Sequence, residues 1–225
     1  MTTRTGLDGK LAAYYRDILY MGTMVEEFLL DATSAFEEGD GSRAMDLVAR
    51  DEEVDAMQAR LEGESVTLLL LQSPVARDLR KIVTSIKVLA NLERIGDYAV
   101  HLAKLTAKKD PSVYAKYVPR IAEMARAGAG MIRDSITAYI EDDESRATAT
   151  ASRDAEIDAR KKELIRELLA ERPTDEAEMR QLYRFLSIAK DLERLGDHVT
   201  TICEWVVFAV RGDIVDLGRA ARQAE

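Results

Sequence analysis

The strongest constraint on this chain is that its second half repeats its first. Leu92-Glu93-Arg94-Ile95-Gly96-Asp97 returns as Leu192-Glu193-Arg194-Leu195-Gly196-Asp197. At an offset of 103, Tyr14, Ile18, Met21, Asp31, Asp40, Arg43, Arg50, Asp51 and Asp55 meet identical residues, from Tyr117 to Asp158. By Arg80, which meets Arg180, the offset has dropped to 100, so three residues are missing from the second copy between Leu61 and Arg80. A deletion is tolerated there if a loop joins two helices at that point.

Apolar residues recur at helical spacing in both copies. The pattern predicts helices over about 7–38, 42–71 and 74–107, and again over 112–140, 145–171 and 174–210. Gly39-Asp40-Gly41-Ser42 closes the first, with Ser42 as a cap for the second. Ser73-Pro74 reads as a cap followed by a first-turn proline. Lys108-Lys109-Asp110-Pro111-Ser112 is the best linker and falls near the midpoint. The expected architecture is all-α: two tandem, sequence-related three-helix bundles, over residues 1–110 and 111–225. Aromatics are only 6% of the chain while Ala, Leu, Glu and Arg abound, so strand formers are under-supplied.

The repeated motif places a Glu four residues before an Asp, so both carboxylates share one helix face. Like charges at that spacing cost an isolated helix roughly 0.2–0.5 kcal/mol, and the intervening glycine costs about 1 kcal/mol more. A bound metal, an arginine partner or close helix contact at the glycine must compensate. A second acidic pair stands ahead of each motif, Asp51 with Asp55 and Asp154 with Asp158. In an antiparallel hairpin it lies at a comparable distance from the turn. With 41 acids in 225 residues, about seven such pairs arise by chance and mostly face solvent. Two pairs in matching register in both halves carry more weight. Arg94 and Arg194 sit about 100° off the carboxylate face, which points them toward a neighbouring helix.

The other candidates are weaker. His101 continues the face of Glu93 and Asp97 by one further turn, but its counterpart is Thr201, which favours a helix-surface histidine. His198 points off that face. Cys203, the lone thiol, excludes an internal disulfide, fits a reducing compartment and is expected to be packed near Trp205. There is no phosphate-binding glycine loop, no Ser/His/Asp set, and neither histidine has the Glu three residues before it that a di-iron helix requires. A net charge of −9 disfavours nucleic acid or an anionic membrane surface as partner. No stretch approaches the roughly 18 apolar residues of a membrane span, and the N-terminus lacks a secretion signal, so a cytoplasmic location is expected, with membranes reached only through partners. The missing nucleophile set favours a binding module over a metal-dependent enzyme. An all-oxygen ligand set suits Mg, Mn or Fe rather than Cu or structural Zn.

The doubled Leu-Glu-Arg-Ile/Leu-Gly-Asp, each copy preceded by an Asp-x-x-x-Asp helix, resembles the PhoU family of phosphate-transport regulators from about Leu7 to Val210. The resemblance implies two similar three-helix bundles and a cytoplasmic, often homodimeric, non-enzymatic regulator. Such a regulator acts on the ATPase of the phosphate ABC transporter and on its sensor histidine kinase, restraining the phosphate-starvation response. It also implies divalent or trivalent metal ions held by Asp51, Asp55, Glu93 and Asp97 in one half and by Asp154, Asp158, Glu193 and Asp197 in the other. The short tail after Val210 departs from the family pattern. Trp205 to Val210 are apolar on every side of the last helix, whereas the matching Leu105 to Asp110 are not. That turn should be covered by the first bundle, a second copy, a partner or the tail.

Overall fold

The computed structural model describes residues 2–72, 76–108, 110 and 113–218. The chain forms eight α-helices among these residues: α1 (Thr2–Glu38), α2 (Gly41–Val48), α3 (Arg50–Gln72), α4 (Ala76–Thr106), α5 (Val118–Glu141), α6 (Glu144–Ser152), α7 (Asp154–Ala170) and α8 (Glu176–Arg211). A 3₁₀ turn, Ala115–Tyr117, leads into α5, and the described residues contain no strand. Each half is a three-helix bundle whose middle helix is broken once. The expected Ser73-Pro74 cap and the linker residues Lys109, Pro111 and Ser112 lie outside the described residues.

The break corrects the sequence expectation of one continuous middle helix per repeat. Ala49 and Arg153 remain right-handed, with ψ of only −19° and −16°, so apolar periodicity runs on across the joint and hides it. No glycine or proline marks it. Instead, Arg50 reaches Asp31 of α1 at 2.5 Å, and its counterpart Arg153 reaches Asp134 of α5 at 2.7 Å. Each arginine ties the joint to the preceding helix. Capping also differs from expectation: Asp40, not Ser42, accepts from the Arg43 amide at 2.9 Å, and Asp143 does the same for Arg146. Gly39 ends α1 at φ 68°, a backbone state that costs glycine little.

The bundles lie against one another along their lengths, α1 on α5 and α4 on α8. Gly22 of α1 makes the first contact close, since a Cβ there would stand 2.8 Å from Ile136. Leu29 and Phe36 of the first repeat and Ile132, Tyr139 and Phe185 of the second belong to one continuous buried cluster. Helices α4 and α8 run antiparallel. Thr84 meets Trp205, Asn91 meets His198, His101 meets Asp191 and Lys108 meets Gln181, so numbers rise along one helix as they fall along the other. These contacts centre on Ile95 and Leu195, which occupy the same position in the two repeats. The chain therefore has a pseudo-two-fold axis through the middle of α4 and α8.

The apolar turn of α8 is covered in part from within the chain, with Trp205, Phe208 and Val210 left partly exposed. Val206, Val207 and Ala209 are buried. The Trp205 carbonyl accepts from Thr84 Oγ1 of α4 at 3.4 Å, and Lys87 Nζ lies 5.7 Å from the indole ring. The tail folds back on the other side: the Leu217 amide donates to Glu204 at 2.9 Å, and Ile214 and Val215 line a small hollow with Trp205 and Phe208. Cys203 is fully buried and turned toward Ala151 of α6, its thiol pushed up to about 12 chiefly by burial, so it is a packing residue without thiolate chemistry.

Because the two repeats share a core but only a short segment connects them, a protease cut between Ala107 and Tyr114 should leave two fragments that remain associated in a native gel and separate only in denaturant. Fragments that separate without denaturant would show that the shared core contributes little.

Candidate functional site

The two glycines of the repeated motif each face a neighbouring helix. A Cβ on Gly96 would meet Val54 Cγ1 of α3 at 3.4 Å. On Gly196 it would stand 3.8 Å from Ile157 Cδ1 of α7, the residue matching Val54, and would collide with Asp154 Oδ1. The Asp154 carboxylate occupies the place of a side chain at Gly196, whereas at Gly96 a methyl group would stand in ordinary contact with Val54. Each Asp-x-x-x-Asp helix lies against its Glu-x-x-x-Asp helix.

In the first half the four predicted carboxylates gather. Asp51 has its pKa raised by burial first, then by Asp55 and Asp97. Glu93 is raised by burial first, then by Asp97, Asp55 and Asp51, with Arg94 opposing. Arg94 does not reach for a neighbouring helix, as its position off the carboxylate face suggested. It bends back along α4, placing Nη1 3.1 Å from Asp97 Oδ2 and Nε 3.5 Å from Glu93 Oε2. A long guanidinium side chain spans the 100° between faces. It is mostly exposed, so these pairs are weak.

The second half resolves its charge differently. Asp154 descends onto Gly196, and Lys161 of α7 places its ammonium 2.8 Å from Glu193. The residue matching Lys161 in the first repeat is Gln58, which bonds Glu62 at 3.2 Å instead. Arg194 turns away to Tyr98 of α4. Asp158 and Asp197 lie on α7 and α8. Among the described residues no three His, Cys, Asp or Glu side chains are already converged on one metal position. The first cluster suits a hard cation in donor type and in a repulsion that Arg94 and Lys104 only partly offset.

The histidines lie elsewhere. Eight residues turn a helix by 80°, which carries His101 off the Glu93 face and into the α4–α8 contact, where Nδ1 pairs with Asp191. His198 Nδ1 donates to Asn91 Oδ1 at 2.8 Å, and its Nε2 faces the Tyr98 hydroxyl at 3.4 Å. Burial, then Arg194 and Arg94, lower its pKa. Tyr98 and His198 are matched positions of the repeat, a signal that could have paired them in advance.

The family model described as the PhoU domain matches this chain twice, over residues 18–106 and 121–206. The chain belongs to the PhoU family. It is 34% identical over 216 residues to a phosphate-specific transport system accessory protein PhoU homolog of Clostridium acetobutylicum, covering 96% of this chain and 99% of that one. A Caulobacter vibrioides protein of the same description is 33% identical, over 91% of this chain and 89% of its own. The fold matches the crystal structure of the phosphate transport system regulatory protein PhoU from Streptococcus pneumoniae with a TM-score of 0.86 and 26% identity, over 93% of this chain and 99% of that chain. PhoU from Pseudomonas aeruginosa matches with a TM-score of 0.82 and 28% identity, over 92% and 99%. No described helix of this PhoU protein is long and apolar enough to cross a membrane.

Two measurements probe the site. Gly96→Ala should leave urea stability unchanged or raise it by up to about 1 kcal/mol, since the helix gains more than Val54 must yield. Gly196→Ala should fall short of that by about 1–2 kcal/mol, and Asp154→Ala in the same chain should close the gap. Equal effects in the two repeats would contradict the geometry at Gly196. The second measurement concerns pH. A raised carboxylate pKa means that the folded state holds the proton more tightly than the unfolded chain. The first cluster therefore costs stability that is fully felt above its folded-state pKa and vanishes below the unfolded one. Asp97→Asn should raise the urea midpoint at about pH 7 and change it little at about pH 3. A midpoint that is unchanged at both would show that the repulsion is already relieved.

Proposed function

We propose that this chain is a non-catalytic regulator of phosphate uptake and phosphate-starvation signalling. It works in the cytoplasm as a homodimer on the ATPase of the phosphate ABC transporter and on the associated sensor histidine kinase, restraining both when phosphate is plentiful. The observation that carries the reading is the match, end to end and in both repeats, to proteins described as accessory to a phosphate-specific transport system. A lone buried thiol of raised pKa fits a protein that neither forms a disulfide nor uses cysteine chemistry.

Within this role the carboxylates would hold metal ions, Mg, Mn or Fe by donor type. Asp51, Asp55, Glu93 and Asp97 would act in the first half, and Asp154, Asp158, Glu193 and Asp197 in the second. The raised pKa values of Asp51 and Glu93 support a cation there, because one would stabilise the charged forms that burial and repulsion disfavour. A bound ion would supply a fixed positive charge between α3 and α4 in place of the loose Arg94 contact.

The test is complementation. Deleting the gene should raise phosphate-response output in phosphate-rich medium, and the wild-type protein should restore repression. Asp97→Asn with Asp197→Asn should lower the metal content of purified protein and weaken that repression while leaving the helical signal intact. Output unchanged by deletion at every phosphate level would refute the regulatory role, and unchanged metal content in the double variant would refute the ligand assignment.

A further inference from the structure

The acidic face of α7 carries a lysine where that of α3 carries a glutamine. Asp154, Asp158 and Lys161 stand at i, i+4 and i+7 on one face of α7, as Asp51, Asp55 and Gln58 do on α3. Lys161 crosses to α8, where its Nζ lies 2.8 Å from Glu193 Oε1. The Gln58 amide instead runs along its own helix to Glu62. A second exchange accompanies the first. Lys104, an exposed lysine of α4 that favours the charged form of Asp51, is matched by Glu204, whose carboxylate accepts from the Leu217 amide. The second repeat thus has a lysine among its carboxylates, where the first has one at their rim.

The position of that ammonium bears on any ion that enters. Glu193 is one of the four carboxylates that the second half offers a metal. Hard divalent ions sit about 2.0–2.6 Å from a carboxylate oxygen. An ion on Glu193 beside Lys161 would therefore leave two positive centres within about 5 Å of each other. Lys161 has to withdraw before the ion is held well. Its side chain is 24% exposed, against 60% for Arg94, the arginine beside the first cluster. A guanidinium mostly in water gives way at little cost, whereas an ammonium set between two helices does so less readily.

We propose that Lys161 is a tethered competitor for metal in the second repeat, so that the chain takes up cations in order. The first half fills at low free metal, and the second fills only when the metal is concentrated enough to displace the ammonium. The proposal rests on the ligand assignment above and adds a sequence of loading to it. Between the two thresholds the chain is half-loaded, a third state that two equal sites would scarcely populate.

Titration of manganese(II) into the chelator-treated full chain, with the free ion counted by its electron paramagnetic resonance signal, tests it. The wild-type chain should show two classes of site whose Kd values differ about tenfold or more. Asp97→Asn should weaken the tight class and Asp197→Asn the weak one. Lys161→Gln gives the second repeat the residue of the first and should bring the two classes within about threefold of each other. Lys161→Met should do the same, and serves if the glutamine variant fails to fold. Lys161→Arg keeps the charge and should keep the classes apart, which a purely structural role for the lysine would not require. Gln58→Lys should weaken the tight class. A single class in the wild-type chain, or two classes left as far apart by Lys161→Gln and Lys161→Met as before, would overturn the proposal while the ligand assignment stands. If neither the wild-type chain nor Lys161→Gln takes up manganese(II), or iron(II) offered without oxygen, the ligand assignment itself fails and this proposal falls with it.

Discussion

The antiparallel contact of α4 with α8, beside that of α1 with α5, holds the arrangement together, and its polar groups fix one repeat's hairpin relative to the other's. Apolar packing by itself would let two long helices slide by a turn at small cost. The polar groups set into this seam, Asn91 with His198 and His101 with Asp191, have partners in one register only. A slip would strand half-buried imidazoles and a carboxylate, each costing on the order of 1–3 kcal/mol. Burial and two nearby arginines also favour a neutral His198, which keeps its bond to Asn91 free of competing charge.

Much of this was legible in the sequence because duplication doubles every signal. The all-helical class, hairpin pairing and the meeting of Asp51 and Asp55 with Glu93 and Asp97 followed from composition, periodicity and register. The broken middle helices did not, since a small change in ψ at Ala49 or Arg153 leaves the apolar stripe unbroken. The arginine that ties down each joint finds a partner nineteen residues back, on another helix. His101 was misplaced because eight residues are not a whole number of helical turns. The tie between Lys161 and Glu193 was hidden because it breaks the repeat, and a method that looks for agreement between copies passes over the positions where they differ.

The motif glycine is the point where fold and site become one matter. Its cost to helix propensity is a local conflict of the kind that sequences otherwise avoid. In the second repeat the structure resolves it by laying the Asp154 carboxylate against bare backbone at Gly196; at Gly96 the contact with Val54 is an ordinary one. The carboxylates arrive at their positions because the helices bearing them pack against each other, α3 on α4 and α7 on α8. Packing thus creates the electrostatic problem that a cation would relieve.

The Gln58 and Lys161 difference gives the two halves unequal dependence on their surroundings. An ammonium attached to the chain is present at a fixed, high local concentration whatever the medium contains, and Lys161 is largely sheltered from screening ions. Arg94 in the first half is mostly open to water, so its hold on Asp97 weakens as salt rises. One molecule therefore contains a carboxylate cluster whose balance is set from outside beside a near-copy that carries its own counter-ion, a built-in reference against which the first can be compared.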